Sequence, residues 1–165
     1  MIRKADSGDL EEILTVLSAA KAFMVKTGNA TQWEPGYPDS VIPGDIDAGN
    51  CYVEEKDGVI HGVFVCIPGE DPTYREIENG GWLNDRPYAA VHRIAADGTV
   101  PGFLSRCTAY CRTICPDLRV DTHEDNKVMQ HLLEKNGFTR CGVIHVADGS
   151  PRFAYQKLAP TQPLG

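Results

Sequence analysis

The chain has 165 residues, 42% of them hydrophobic and 24% charged, and a formal net charge of -7. One domain with its own apolar core is the natural reading of that length, without help from disulfides or metals. An acidic balance with no cluster of Lys and Arg excludes the basic stripe by which nucleic-acid binders replace phosphate counterions. The same balance favours cationic small molecules through electrostatic focusing. No segment approaches the ~18 continuous apolar residues of a membrane span, and Met1-Ile2-Arg3-Lys4-Ala5-Asp6 lacks the apolar centre of a secretory leader. A cytoplasmic location is therefore expected, with the six cysteines as reduced thiols.

Met1 to Ala5 reads as a short first strand. Asp6-Ser7-Gly8-Asp9 supplies capping groups for a helix whose apolar positions Leu10, Ile13, Leu14 and Leu17 recur at helical spacing and which runs to about Met24. Residues 32–49 are irregular and carry Pro35, Pro38 and Pro43; Val41, Ile42 and Ile46 mark a second short helix within them. Cys51 to Glu55 and Val59 to Ile67 read as strands about the tight turn Lys56-Asp57-Gly58, and Gly62 allows a bulge or a close approach. Pro68 to Pro87 is a long connection rich in Gly, Pro and Asn, of a length that usually has a function. Tyr88 to Ala96 reads as a buried strand, Phe103 to Ile114 as a helix and Leu118 to Thr122 as a strand. Glu124 to Asn136 is a helix stopped by Gly137. Phe138 to His145 and Arg152 to Lys157 make a final hairpin around Asp148-Gly149. Residues 1–158 thus form a single domain, and 159–165, with two prolines, a flexible tail. The order β-α-α-β-β-β-α-β-α-β-β predicts an α/β sheet with helices on both faces.

Two local sequences give this order a family likeness. Val91-His92-Arg93-Ile94-Ala95-Ala96-Asp97 is a strand that leads through a glycine-containing turn into a helix. Asp121-Thr122-His123-Glu124-Asp125-Asn126 runs on to Leu132-Leu133-Glu134-Lys135-Asn136-Gly137-Phe138, so that an Asn opens a helix ending in Glu-Lys-x-Gly-Phe. From Ile2 to about Lys157 the chain resembles the GNAT (Gcn5-related N-acetyltransferase) superfamily. The resemblance implies a mixed, mostly antiparallel central sheet with helices on both faces and a splay between strands four and five. It also implies acetyl-CoA as co-substrate, lying in that splay, and a small-molecule amine as acceptor. Homodimers are common in the class.

By resemblance, the pantetheine amides pair with the main chain of Ile94, Ala95 and Ala96. The pyrophosphate falls at the next helix start, on Gly102, Phe103, Leu104 and Ser105, where N–H groups and the helix dipole make an anion site. The family pattern there is Q/R-x-x-G-x-G/A, and two positions depart from it: Thr99 stands at the Gln/Arg position and Leu104 at the final Gly/Ala. Ser105 and Arg106 offer a hydroxyl and a charge in partial compensation. Asn126 is expected to cap its helix, to contact the cofactor, or both. The Tyr that protonates the leaving thiolate in many members falls at Leu133, four residues before Gly137.

A general base must point into the cleft with a pKa near the working pH. His92 is the first candidate, on the same strand face as Ala90 and Ile94 by alternation. A packed structural histidine is the competing reading. His123, just after the fifth strand, ranks behind it. Trp33, Glu34, Tyr37, Trp82 and Tyr88 lie in segments that wall the acceptor in this class. Aromatics beside a carboxylate suit a cationic amine, although Trp33, Trp82 and Tyr88 serve equally as packing anchors. Transfer is expected to be direct and sequential. The alternative is a catalytically weak or inactive acyl-CoA-binding or sensing protein on the same fold, motivated by Leu104 and Leu133.

Cys107, Cys111 and Cys115 recur every four residues on one helix stripe and span about 12 Å. A zinc ion needs ligands converging at about 2.3 Å, so packed thiols are expected and no metal. Asp121, His123 and Asp125 alternate in a metal-like way but sit at the family's strand-to-helix junction.

Overall fold

The first strand lies at one edge of a sheet and the last is inserted one place from the other edge. The computed structural model describes residues 1–160. Strands β1 (Ile2–Lys4), β2 (Cys51–Lys56), β3 (Val59–Pro68), β4 (Ala89–Ala96), β5 (Leu118–Thr122), β6 (Thr139–His145) and β7 (Pro151–Lys157) form one sheet in the order β1-β2-β3-β4-β5-β7-β6. The helices are α1 (Leu10–Lys26), α2 (Ile42–Asp47), α3 (Phe103–Ile114) and α4 (Lys127–Lys135). Every neighbouring pair is antiparallel except β4 and β5, which run parallel. The mixed, mostly antiparallel α/β sheet expected from the sequence is the one found. No helix of the described residues is long and apolar enough to cross a membrane.

Two faces and three layers bury the core. Ile13, Leu17 and Ile42 of α1 and α2 pack on Val53, Val63 and Val65, covering one face of β2–β4. Phe103, Leu104, Cys107, Cys111 and Leu133 of α3 and α4 cover the other face, over Phe64, Cys66, Val91, Leu118, Val120 and Tyr155. Each large side chain so buried contributes about 1.5–3 kcal/mol. On the α1 side the connection between β3 and β4 does the work of a missing helix. Its Tyr74, with Tyr88, packs on Ala90, Ile144 and Ala154. Further along, Glu78 and Val143 exchange two main-chain hydrogen bonds of 2.8 Å, and Gly81 N–H donates to Cys141 O at 3.0 Å. The approach is so close that a side chain on Gly80 or Gly142 would overlap the opposing main chain.

Boundaries differ from expectation where side chains intervene. α1 continues two residues past Met24. α4 begins at Lys127, not Glu124, because Asn126 Oδ1 accepts the Met129 N–H at 3.0 Å and caps the helix there. The preceding residues form a turn in which Asp125 N–H donates to His123 Nδ1 at 2.9 Å. At the C-terminal end, Ala159 N–H donates to Asp117 Oδ1 at 2.5 Å; residues 161–165 of the expected tail lie outside the described residues.

Two bulges shape the middle of the sheet. Between Glu54↔Gly62 and Glu55↔Ile60 the register shifts, leaving His61 as the extra residue. Gly62 serves both purposes foreseen for it, since a Cβ there would overlap the Phe103 ring. Gly62→Ala is therefore expected to destabilise the fold by about 1–3 kcal/mol; a urea midpoint equal to wild type would contradict this packing. The second bulge is in β4. Val65 pairs with His92 but Val63 pairs with Ala95, so Arg93 and Ile94 together oppose Phe64, and Arg93 has φ 51. This corrects the expected alternation. His92 shares its face with Ala90, whereas Ile94 is turned to the α3 and α4 side and packs there.

Candidate active site

β4 and β5 pair at only two positions, Ala89↔Leu118 and Ala90↔Arg119. Beyond them the strands part. Ala89 N–H donates to Asp117 O and Asp97 N–H to His61 O, both at 3.0 Å. Val91 N–H closes the last of these pairs, on Arg119 O, and alternation from Asp97 turns the main chains of Ile94 and Ala96 toward the gap, beyond the last ladder partner in β5. Of the three residues expected to hold a pantetheine arm, Ile94 and Ala96 thus face the gap. Ala95 turns its main chain to Val63 and its side chain into the α1-side core.

At the mouth of the gap, α3 opens after Gly102, whose φ is 82. Arg106 N–H makes the first helical bond, to Gly102 O at 3.3 Å. The N–H groups of residues 103–105 are thus those that every helix start leaves without an internal partner. Phe103 and Leu104 bury their side chains in the α3 and α4 core, and Ser105 is exposed. The leucine that breaks the family pattern therefore does not stand over these N–H groups, and the loop fits a pyrophosphate bound by main chain. Arg106 is already committed. It forks onto Glu54 at 2.8 and 2.7 Å and donates to Pro101 O at 2.6 Å. That guanidinium holds the Glu54 carboxyl below its usual range against the opposing pull of burial. Arg106 braces the loop rather than offering a free charge.

Asn126 holds the other side of the mouth. Besides capping α4, it donates from Nδ2 to Gln32 Oε1 at 3.1 Å. The same oxygen accepts from Asn29 Nδ2 at 2.9 Å, and Gln32 O accepts from Arg152 Nη2 at 3.1 Å. Gln32 thus ties the segment after α1 to the ends of β5 and α4. Sequence reasoning missed it, because a Gln in an irregular polar stretch carries no signal.

On the α1 side of the gap stands His92. Its Nε2 lies 2.8 Å from Asp71 Oδ2, and its Nδ1 faces Asp121 Oδ1 at 3.7 Å. Tyr74 donates its hydroxyl to Asp121 Oδ1 at 2.7 Å and sets its ring 5.9 Å from the imidazole. Burial, and Asp121 beside it, keep that phenol protonated well above its ordinary range. Burial raises the Asp71 carboxyl too, but hydrogen bonds from His92 and Thr73 outweigh it and hold it at about 2. Asp71 and Tyr74 were also missed, although Asp71-Pro72 is a cap followed by Pro at the first helical position, and it does open a short 3₁₀ turn at Pro72–Tyr74.

The Asp71 value fixes a sign. A carboxylate depressed by folding adds stability that is complete above its unfolded pKa of about 3.9 and is lost as pH falls through the folded one. Wild-type stability should therefore drop between about pH 4 and the folded value near 2. Asp71→Asn should lack that part of the slope in urea titrations at stepped pH. Parallel curves for the two proteins would sink the assignment.

The structure gathers some of the expected acceptor residues and separates others. Tyr88 joins His92 through Asp71, whose N–H donates to Tyr88 Oη at 2.7 Å. Trp33 stands edge-on to Tyr37, at 6.4 Å between ring centroids. Tyr37 Oη in turn accepts from Arg93 Nη1 at 3.0 Å, next to His92 in the chain. Glu34 is not brought in; it is exposed and lies beside Asp148 in the β6–β7 turn. Trp82 donates from Nε1 to Tyr74 O at 2.8 Å and sets its ring at a tilt against Tyr74, 5.2 Å between centroids. His123 sits with its Nε2 3.4 Å from Thr31 Oγ1, at the Gln32 tie. Leu133 is wholly buried. Cys66 lies on the α3 side against Cys111, and this contact and burial push its thiol well above the usual range, which makes it a poor nucleophile.

An acetyltransferase of the GNAT family from Streptococcus agalactiae superposes with a TM-score of 0.87 and 34% identity, over 98% of this chain and 96% of that one. The chain belongs to the GNAT acetyltransferase family. A GNAT-family acetyltransferase from Listeria monocytogenes matches with a TM-score of 0.69 and 20% identity, over 95% of this chain and 93% of that one. The polyamine N-acetyltransferase of Drosophila melanogaster matches with a TM-score of 0.66 and 15% identity, over 97% and 99%. The last two share the fold. No family model and no curated protein matched the sequence.

Proposed function

We propose that the protein is a cytoplasmic acetyl-CoA-dependent N-acetyltransferase acting on a small-molecule amine by direct transfer. The reading rests on one observation: β4 opens from β5 immediately beside His92, whose ring is held by a carboxylate. Main-chain groups of Ile94 and Ala96 line the gap for the pantetheine amides, and the start of α3 receives the diphosphate. The amine nitrogen attacks the thioester carbonyl carbon as the C–S bond breaks, and the carbonyl oxygen is stabilised by a main-chain N–H of β4. With Nε2–H directed to Asp71, the lone pair of His92 lies on Nδ1, which takes the ammonium proton before attack. The leaving thiolate takes its proton from water or from the attacking amine, since Leu133 has none to give. Asp71 and Asp121 place negative charge around the acceptor, which favours a cationic amine. The Drosophila relative catalyses formation of N-acetylagmatine, and amines of that kind head the panel for testing.

A second reading, an acyl-CoA-binding sensor, is favoured by Leu133, which stands where many members of the family carry the Tyr that protonates the thiolate. Thiol release from acetyl-CoA with an amine panel, run beside a CoA binding titration, separates the two. Amine-dependent turnover supports the enzyme, and binding without turnover supports the sensor. A melting temperature that CoA fails to raise would defeat both.

A further inference from the structure

Away from the gap, at the opposite ends of β4 and β5, lies a cavity of about 420 Å³, within the range of small-molecule sites. Its one buried charge is Arg119, only 5% exposed. Arg3, Arg93 and Arg106 each fork onto a carboxylate, Asp9, Asp45 and Glu54 respectively, and buried Arg152 of β7 donates instead to Ser150 Oγ, Pro151 O and Gln32 O. Arg119 has no carboxylate partner among the described residues. Of the five N–H donors a guanidinium carries, it uses Nη2 on Asn84 O at 2.9 Å, and its Nε is buried with no partner. Its plane is clamped instead, with Cζ 4.0 Å from the Tyr88 ring centre and 4.2 Å from that of Trp82. Stacking of this kind favours the cation and leaves its edge for an in-plane acceptor. The exposed rim is electrically balanced, with Glu70 beside Arg75 at 3.5 Å and Asp85 next to Arg86, which turns to Asp117. An unspent buried cation with aromatic walls is the recognition chemistry of an anion that carries an apolar body.

We propose that this cavity is a second ligand site, for a small organic carboxylate, and that Arg119 is the group that holds the carboxylate. Charge-assisted bonds to the guanidinium edge satisfy both partners, and the Trp82, Tyr74 and Tyr88 rings take the apolar part. An inorganic phosphate would satisfy the charge but leave those rings unmatched. The site is independent of acetyl transfer, although Tyr74 and Tyr88 wall it on one side and reach Asp121 and Asp71 on the other.

The test is an NMR titration of the full chain, labelled with nitrogen-15, using benzoate, benzamide and inorganic phosphate as probes. Benzoate is expected to shift the Arg119 side-chain and Trp82 indole N–H signals saturably. Benzamide, its neutral isostere, should bind roughly tenfold more weakly or worse, phosphate should bind more weakly than benzoate, and Arg119→Gln should abolish the benzoate shifts. Equal binding of benzoate and benzamide, a preference for phosphate, or benzoate shifts confined to the start of α3 would each overturn the proposal. Should Arg119→Gln fail to fold, the three-probe comparison on the wild-type chain decides alone.

Discussion

His92→Ala is expected to lower kcat/KM for the best amine by roughly a hundredfold or more, the usual loss when a positioned base is removed. The reason is geometric. His92 is fixed on Nε2 by Asp71 at 2.8 Å, and its Nδ1 lies 3.7 Å from Asp121 Oδ1, beyond hydrogen-bond reach, which leaves that nitrogen for the acceptor's proton. A pair of variants separates the roles. Asp71→Asn removes only the group that holds the ring and should lose less activity than His92→Ala. A His92→Ala enzyme with a wild-type rate would remove the histidine from the chemistry.

Arg93→Ala is expected to cost about 3–5 kcal/mol of stability, the range for breaking a buried ion pair by deleting one partner. Arg93 occupies the bulge with φ 51, a region where a non-glycine residue sits at a cost. Its guanidinium forks onto Asp45 at 2.8 and 2.9 Å, binds Tyr37 Oη at 3.0 Å, and so joins α2 to the strand that carries His92. Truncation leaves Asp45, 13% exposed, without its cation. At roughly 2–4 °C per kcal/mol for a chain of this size, the melting temperature should fall by roughly 10 °C. Arg93→Lys keeps the charge without the fork and should fall in between. A loss under about 1 kcal/mol would mean that the pair is no more than a surface ion pair in its energetics.

Element order was legible because it rests on local signals. The spacing of Leu10, Ile13, Leu14 and Leu17, the cap at Asp6 and the stop at Gly137 need only their own neighbours to act. The facing of Ile94 was not legible, because a bulge moves every later side chain to the other face and Arg93, unlike Gly62, carries no residue-type mark of one. The site divides along the same line. His92 and Tyr88 sit on a strand whose position was readable. Asp71 and Tyr74 come from a connection whose path is set by contacts with Asp121 and Trp82, distant in sequence. Glu34 followed the β6–β7 turn and not the gap, a placement that only tertiary contacts determine. Leu104 departed from the family pattern in residue type, but its side chain points inward, and pattern matching reads type without direction.

The bridge between Glu78 and Val143 bears on how molecules of this protein meet. β6 is the outermost strand on its side, and a bare strand there would invite another chain to add itself by main-chain pairing. The β3–β4 connection takes up those donors and acceptors itself, locked in by two glycines that admit no side chain. At the far edge β1 is three residues long, with Arg3 spent on Asp9 and Glu55. The chain's own connection thus covers the middle of one margin, at Cys141 and Val143, and the other offers a newcomer only three residues.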